Sequence, residues 1–193
     1  MDEAQRLVAL VGRPNVGKSR LFNRLSGRRI SIVHDQPGVT RDLVWADVDE
    51  GFTLIDTGGI GLTPEQTPEQ IAAAADEQVA FAIEAAQVIL FVIDGREDLT
   101  PLDGMIADRL RATRKIPLLV VNKADRPELE ERVDAGALAA LGFGEPVYVS
   151  AEHDRGITAL LRLVRKALGP RPEPAESGTD AADAARIAIS FVG

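Results

Sequence analysis

Cysteine is missing altogether from this chain of 193 residues, which excludes disulfides and every metal site built on thiolates. Long apolar runs are missing too, since nothing approaches the ~18–20 residues of a membrane span. The N-terminus Met1-Asp2-Glu3-Ala4-Gln5-Arg6 has neither the basic start nor the apolar stretch of a secretory leader. Positive charge is in short supply: 30 carboxylates face 22 lysines and arginines, for a net charge of −8. Electrostatic attachment to nucleic acid needs a basic face that releases counterions, so direct nucleic-acid binding is not expected, and neither is a membrane. The expectation is a soluble, intracellular protein.

What is present is ordinary globular material, 45% apolar and 27% charged, enough for a core without covalent staples. Short apolar runs at Leu7–Val11, Phe52–Ile55, Val88–Ile93, Pro117–Val121 and Pro146–Val149 read as strands buried on both faces. Between them, helical spacing links Ile71, Ala75, Val79, Ile83 and Ala86, and again Leu129, Val133, Ala137 and Leu141. Thr100-Pro101-Leu102-Asp103 predicts a helix start, with Leu102, Met105, Ile106 and Leu110 buried. A last helix is predicted over Ile157–Leu168. Strand–helix alternation predicts an α/β fold with a doubly wound, mainly parallel sheet and ligands beyond the strands' carboxyl ends. Leu43–Asp49 meets the next strand through Asp49-Glu50-Gly51, a hairpin-like turn, and is expected as one antiparallel edge strand.

Gly12-Arg13-Pro14-Asn15-Val16-Gly17-Lys18-Ser19 matches G-x-x-x-x-G-K-[ST] directly after a predicted strand and directly before the helical Leu21-Phe22-Leu25 pattern. Such glycines let backbone N–H groups wrap a phosphate, Lys18 would reach the β/γ oxygens, and the Ser19 hydroxyl would ligate Mg2+. A glycine-rich turn that happens to precede a helix is the plain alternative.

Asn122-Lys123-Ala124-Asp125 sits where the fifth predicted strand, the Pro117–Val121 run, ends. A carboxylate there can accept the N1–H and N2–H of guanine, whereas adenine offers it an acceptor and no amino group, so Asp125 selects GTP over ATP. Asp125 as a cap for a helix near Pro127 is the alternative. Ser150-Ala151-Glu152 follows the next strand, with the Ala151 N–H within reach of guanine O6. Asp56-Thr57-Gly58-Gly59 suits a carboxylate holding Mg2+ and, at Gly59, an N–H that senses the γ-phosphate; a common turn is the alternative. Thr40, within Pro37-Gly38-Val39-Thr40-Arg41-Asp42, is available as a second hydroxyl for Mg2+.

Taken in their order along the chain the five elements match translation-factor-like GTPases, and in detail residues 6–168 resemble the bacterial Der (EngA) family of double GTPases. The resemblance implies a Ras-like P-loop GTPase fold and a cytoplasmic GTPase that assists assembly of the large ribosomal subunit. Members carry two GTPase domains and a KH-like domain. The resemblance further implies that Gly12, Asn15, Val16, Gly17, Lys18, Ser19, Arg20, Asp56, Gly59, Asn122, Lys123, Asp125, Ser150, Ala151 and Glu152 bind GTP or GDP. Lys18, Asn15 and Gly59 would serve hydrolysis. Ser19, Thr40 and Asp56 would hold Mg2+, and the Asn15 side-chain oxygen would hold K+ beside the β/γ bridge; Asn15 bracing the loop is the alternative.

Hydrolysis of GTP by water is the expected reaction, by the general phosphoryl-transfer template of positioning and charge stabilisation. Ile60 follows Gly59 where Ras-like proteins carry a water-orienting glutamine, so a slow intrinsic rate is expected. A GTP-regulated binding module, in which hydrolysis only resets the switch, needs the same site. His34 and His153 read as loop residues, Arg28 and Arg29 as a solvated loop end, and Arg41 as structural rather than an arginine finger. Residues 169–185, with three prolines, four carboxylates and one arginine, read as a flexible acidic linker after a GTPase domain at 1–168. Arg186–Gly193 repeats the strand leading into Gly12, so it is expected to open a truncated second GTPase domain; a strand added to the first domain's edge is the alternative.

Overall fold

The computed structural model describes residues 6–27, 43–57, 79–113, 115 and 117–171. Outside them lie Arg28, Arg29, His34, Pro37–Asp42 with Thr40 and Arg41, Gly59, Ile60, the start of the helix predicted from Ile71, and the linker and repeated strand beyond Arg171.

Six strands form one sheet: β1 (Leu7–Val11), β2 (Val44–Val48), β3 (Phe52–Asp56), β4 (Val88–Asp94), β5 (Leu118–Asn122) and β6 (Val147–Tyr148), in the order β2-β3-β1-β4-β5-β6. All neighbours run parallel except β2, which pairs antiparallel with β3 through Val44↔Asp56 and Val48↔Phe52. The mainly parallel sheet with one antiparallel edge strand is thus as expected. The helices are α1 (Lys18–Ser26), α2 (79–85), α3 (Pro101–Arg111), α4 (Pro127–Arg132), α5 (Ala135–Ala140) and α6 (Ile157–Leu168).

Side chains alternate across each central strand because the strand period is two. Val8 and Leu10, with Val88, Leu90 and Val92, face Leu21, Phe22 and Leu25 of α1 and Leu160, Val164 and Leu168 of α6. Leu7, Ala9, Val11, Ile89, Phe91 and Ile93 face α2, α3 and α5 on the other side, where Phe143 meets Phe91 edge-on at 5.7 Å between ring centres. Both faces are dry, so the apolar runs are continuous. In a sheet of this kind ligands are met by the loops beyond the carboxyl ends of the strands.

Two expectations are corrected. In α3, Leu102 is 42% and Met105 67% exposed, while the inward stripe is Asp103, Ala107 and Leu110. The reason is electrostatic: Asp103 completes a capping box with Thr100 and accepts from Arg13 Nε at 3.2 Å, which turns that side of the helix inward. The second concerns Leu129 to Leu141, which forms two helices instead of one. Val133 is extended, and the Asp134 carboxylate caps α5 by accepting from the N–H of Gly136 at 2.8 Å and Ala137 at 3.2 Å. Among the described residues no helix is long and apolar enough to cross a membrane.

Candidate functional site

At the carboxyl end of the sheet Leu10 lies beside Asp56 and Asp94 beside Asn122, with β4 and β5 running on beyond Val11, whose partner is Phe91. Residues from five loops therefore meet at one rim.

At the end of β1 the loop from Gly12 to Gly17 depends on having no side chain at two places. A Cβ on Gly12 would stand 2.2 Å from the Val92 carbonyl oxygen, and one on Gly17 would stand 2.5 Å from Asn122 Nδ2. Gly17 also has φ 91° and Asn15 φ 67°, left-handed values that glycine and asparagine tolerate best. The loop delivers the chain into α1 with no side chain capping the helix and no acidic residue in its first turn. The amide end of the dipole therefore faces the loop without a built-in anion.

Lys18 is buried there and donates to the carbonyl oxygens of Gly12 at 2.7 Å and Arg13 at 2.9 Å. Burial lowers its pKa below the ordinary lysine value; Asp56 opposes this shift, and nearby Arg13 adds to it. A buried cation neutralised only in part favours an anion beside it. Asp56, buried at the end of β3, lies on the same side, and the following Thr57 hydroxyl donates to the Leu10 carbonyl at 2.8 Å, tying that turn to β1. Ser19 and Arg20 are exposed on the first turn of α1.

The other half of the rim is assembled from side chains. Asn122 is buried and engaged at both ends of its amide: Nδ2 donates to the Val16 carbonyl at 2.9 Å, and Oδ1 accepts from the Ala151 N–H at 3.2 Å. That N–H, expected to reach guanine O6, is thus held by Asn122. Lys123, with φ 65°, donates to the Asn15 carbonyl at 2.7 Å and to Asp94 Oδ2 at 2.6 Å. Asn15 thus braces the loop through its backbone, and its exposed side chain makes no part of that contact. Asp125 does not cap α4, whose N-cap is Arg126 without a side-chain bond. Its Oδ1 accepts from the Ser150 hydroxyl at 2.7 Å and its Oδ2 from Arg96. The Arg96 hydrogen bond is the main reason the Asp125 pKa falls below its ordinary value. Glu152 pairs with Arg20 at 2.7 Å, closing the side toward α1. Beside this pair, Arg20, Asn23, Arg24, Gly27, Ala151 and Glu152 line an open cavity of about 450 Å³.

The expected nucleotide residues that fall among the described ones therefore stand on one rim, with Asn15 joining through its backbone, while Gly59 and Thr40 lie outside the described residues. Sequence reading missed Asp94, Arg96, Arg13 and Thr57. Asp94-Gly95 was open to detection, because it follows a buried strand in the same way that Asp56-Thr57-Gly58 does.

A parallel sheet with a Gly-x-x-x-x-Gly-Lys-Ser loop leaving its first strand defines a P-loop nucleotide-binding domain, and the Asn-Lys-x-Asp loop beside it marks the GTPase class. The chain belongs to the family described as 50S ribosome-binding GTPase, whose model matches residues 7–123. Its curated relatives include GTPase Der of Clostridium perfringens, 46% identical over 190 residues, which are 97% of this chain and 41% of that protein. GTPase Der of Clostridium tetani is 49% identical over 158 residues, 80% of this chain and 35% of the relative. The chain thus spans less than half the length of these relatives. Among solved structures, an Era variant of Aquifex aeolicus bound to GDP and AlF4− aligns with TM-score 0.66 and 29% identity, over 88% of this chain and 58% of Era. Era in complex with MgGDPNP and a segment of 16S ribosomal RNA aligns equally well, at 28% identity over 87% of this chain and 58% of that one.

Proposed function

We propose that this domain binds GTP at the described rim, hydrolyses it slowly to GDP and phosphate, and works in the cytoplasm as a switch during assembly of the large ribosomal subunit. The observation that carries the reading is the pairing of two half-sites of opposite charge demand. One is a buried, partly neutralised Lys18 at an uncapped helix start, suited to phosphate oxygens. The other is the Asp125 carboxylate, kept ionised by its bonds from Ser150 and Arg96, an acceptor suited to the N–H edge of guanine.

Lys18 and the amides of the Gly12–Ser19 loop would stabilise the charge that spreads over the phosphoryl oxygens as the γ-bond breaks. Ser19 and Asp56, with Thr40, fit Mg2+, a hard cation that takes few protein oxygens and completes its shell with phosphate and water. Bound there, Mg2+ would neutralise phosphate charge. The Asn15 side-chain oxygen, exposed at the loop's left-handed corner, suits K+, whose charge would assist in place of the missing glutamine. The ribosomal role rests on the family's description and on the likeness to Der.

The reading is tested by GTP, GDP and ATP affinities together with hydrolysis rates in KCl and NaCl at matched ionic strength. Roughly 10–100-fold preference for guanine over adenine is expected, with faster hydrolysis in KCl. Equal displacement of labelled GDP by ATP and GTP rejects the base assignment, and equal rates in the two salts reject potassium.

A further inference from the structure

Arg96 stands outside the five sequence motifs, yet it donates to the carboxylate assigned to reading guanine. Its position is set by backbone. The Gly95 N–H donates to the Asn122 carbonyl at 2.7 Å, and the Arg96 N–H donates to Asp94 Oδ1 at 3.0 Å. Asp94 Oδ2 in turn holds Lys123, so the Asp94 carboxylate joins the two loops, with Oδ1 on the turn after β4 and Oδ2 on the Asn122–Asp125 loop. Gly95 permits this approach, because a Cβ there would stand 2.8 Å from Val121 Cγ1 and 3.0 Å from the Asn122 carbonyl oxygen. Arg96 is thereby delivered beside Asp125, half-exposed, while the Asp125 side chain is 14% exposed.

The chemistry of that contact bears on specificity. A guanidinium carries N–H groups on nitrogens that share one carbon, and the N1–H and N2–H of guanine share C2 in the same way. Ser150 already supplies a donor to Asp125 Oδ1 and Arg96 one to Oδ2, so both oxygens are engaged by the chain's own groups. A guanine edge that pairs with Asp125 has to take Oδ2 from Arg96 or share it, and it meets a carboxylate whose charge is already balanced.

We propose that Arg96 is a specificity-determining residue of the base site, an internal stand-in for the guanine edge that competes for Asp125 and weakens guanine-nucleotide binding. The proposal rests on the reading of Asp125 as the base-recognition group. Adenine gains nothing from the release of Asp125, so the competition acts on guanine alone and reduces the margin by which guanine is preferred.

The test is a double-mutant cycle on the full chain, with GDP affinity measured by calorimetry for wild type, Arg96→Ala, Asp125→Ala and the double variant. Arg96→Gln serves as a second, bulkier neutral replacement. Both Arg96 variants should bind GDP roughly two- to fivefold more tightly than wild type, the size of a partly exposed ion pair. The gain should vanish in the Asp125→Ala background. Tripolyphosphate, which has no base, should bind the Arg96 variants no more tightly than wild type. If Asp125→Ala weakens GDP while both Arg96 variants bind it equally or more weakly, the stand-in role is overturned and the base assignment survives. A gain that persists without Asp125, or that extends to tripolyphosphate, also overturns it. Unchanged GDP binding in Asp125→Ala instead removes the base assignment itself.

Discussion

The phosphate half and the base half of the rim are built differently. The phosphate half is one unbroken stretch, Gly12 to Ser19, whose shape comes from backbone: two glycines without room for a Cβ and a left-handed Asn15. The base half is a mosaic in which Asn122, Lys123, Asp125, Ser150 and Ala151 are tied to one another, to Asp94 and to Arg96 by side-chain hydrogen bonds. A backbone-made site keeps its shape when the side chains it presents are changed, but not when the glycines are. A side-chain mosaic couples recognition to stability, because its recognition groups also hold loops together.

The comparison breaks if the two halves respond alike to losing their central group. Lys18→Met should lower GTP hydrolysis by ~10²–10³-fold, as for loss of one preorganised charge-stabilising donor. Its unfolding free energy in urea should move by less than about 1 kcal/mol, since the ammonium's burial is itself unfavourable. Asn122→Ala should instead cost about 2–4 kcal/mol in the same urea titration, because the Val16 carbonyl and the Ala151 N–H each lose a buried partner. Similar stability losses in both variants would remove the distinction.

Asp125→Asn sharpens the comparison within the base half. It should weaken GTP by roughly 10–100-fold, the ~1–3 kcal/mol of a bidentate base contact, and admit xanthine nucleotides in competition assays. Acid should spare the carboxylate itself for longer than usual. A carboxylate with a depressed pKa contributes stability that is fully present above its unfolded value and is lost as pH falls through the folded one. The Arg96 and Ser150 bonds to Asp125 should therefore persist down through the ordinary 3.8 and fail only below it. Arg96→Ala should move the titration back up, read from the carboxyl carbon shift by NMR. The smallest effect belongs to the neighbouring α3 cap, where Thr100→Ala should cost about 1 kcal/mol in thermal unfolding with GTP affinity unchanged.

Much of this architecture is legible in the order of the residues. The strands, α6 and the phosphate loop stand where the apolar runs and the glycine spacing put them, because each of those patterns is carried by adjacent residues. The inward face of α3 is not legible in that way. Leu102 and Met105 have the right spacing and hydrophobicity, but Arg13, 90 positions away in sequence, draws Asp103 inward. The break before α5 is hidden for another reason: Val133 and Ala137 keep the helical period across it, and only the folded Asp134 carboxylate shows which N–H groups it takes.

Residue type at fixed short spacing is enough to set the sheet, the order of its elements, the phosphate loop and the family. Folding in three dimensions is needed to turn Asp125 to Ser150 and Arg96 rather than to the start of α4, to lock the Ala151 amide on Asn122, and to bring Arg96 into the base site. These contacts join residues 25 to 29 positions apart across adjoining loops. No spacing rule reaches so far; the neighbouring strands β4, β5 and β6 bring the loops that carry such residues together.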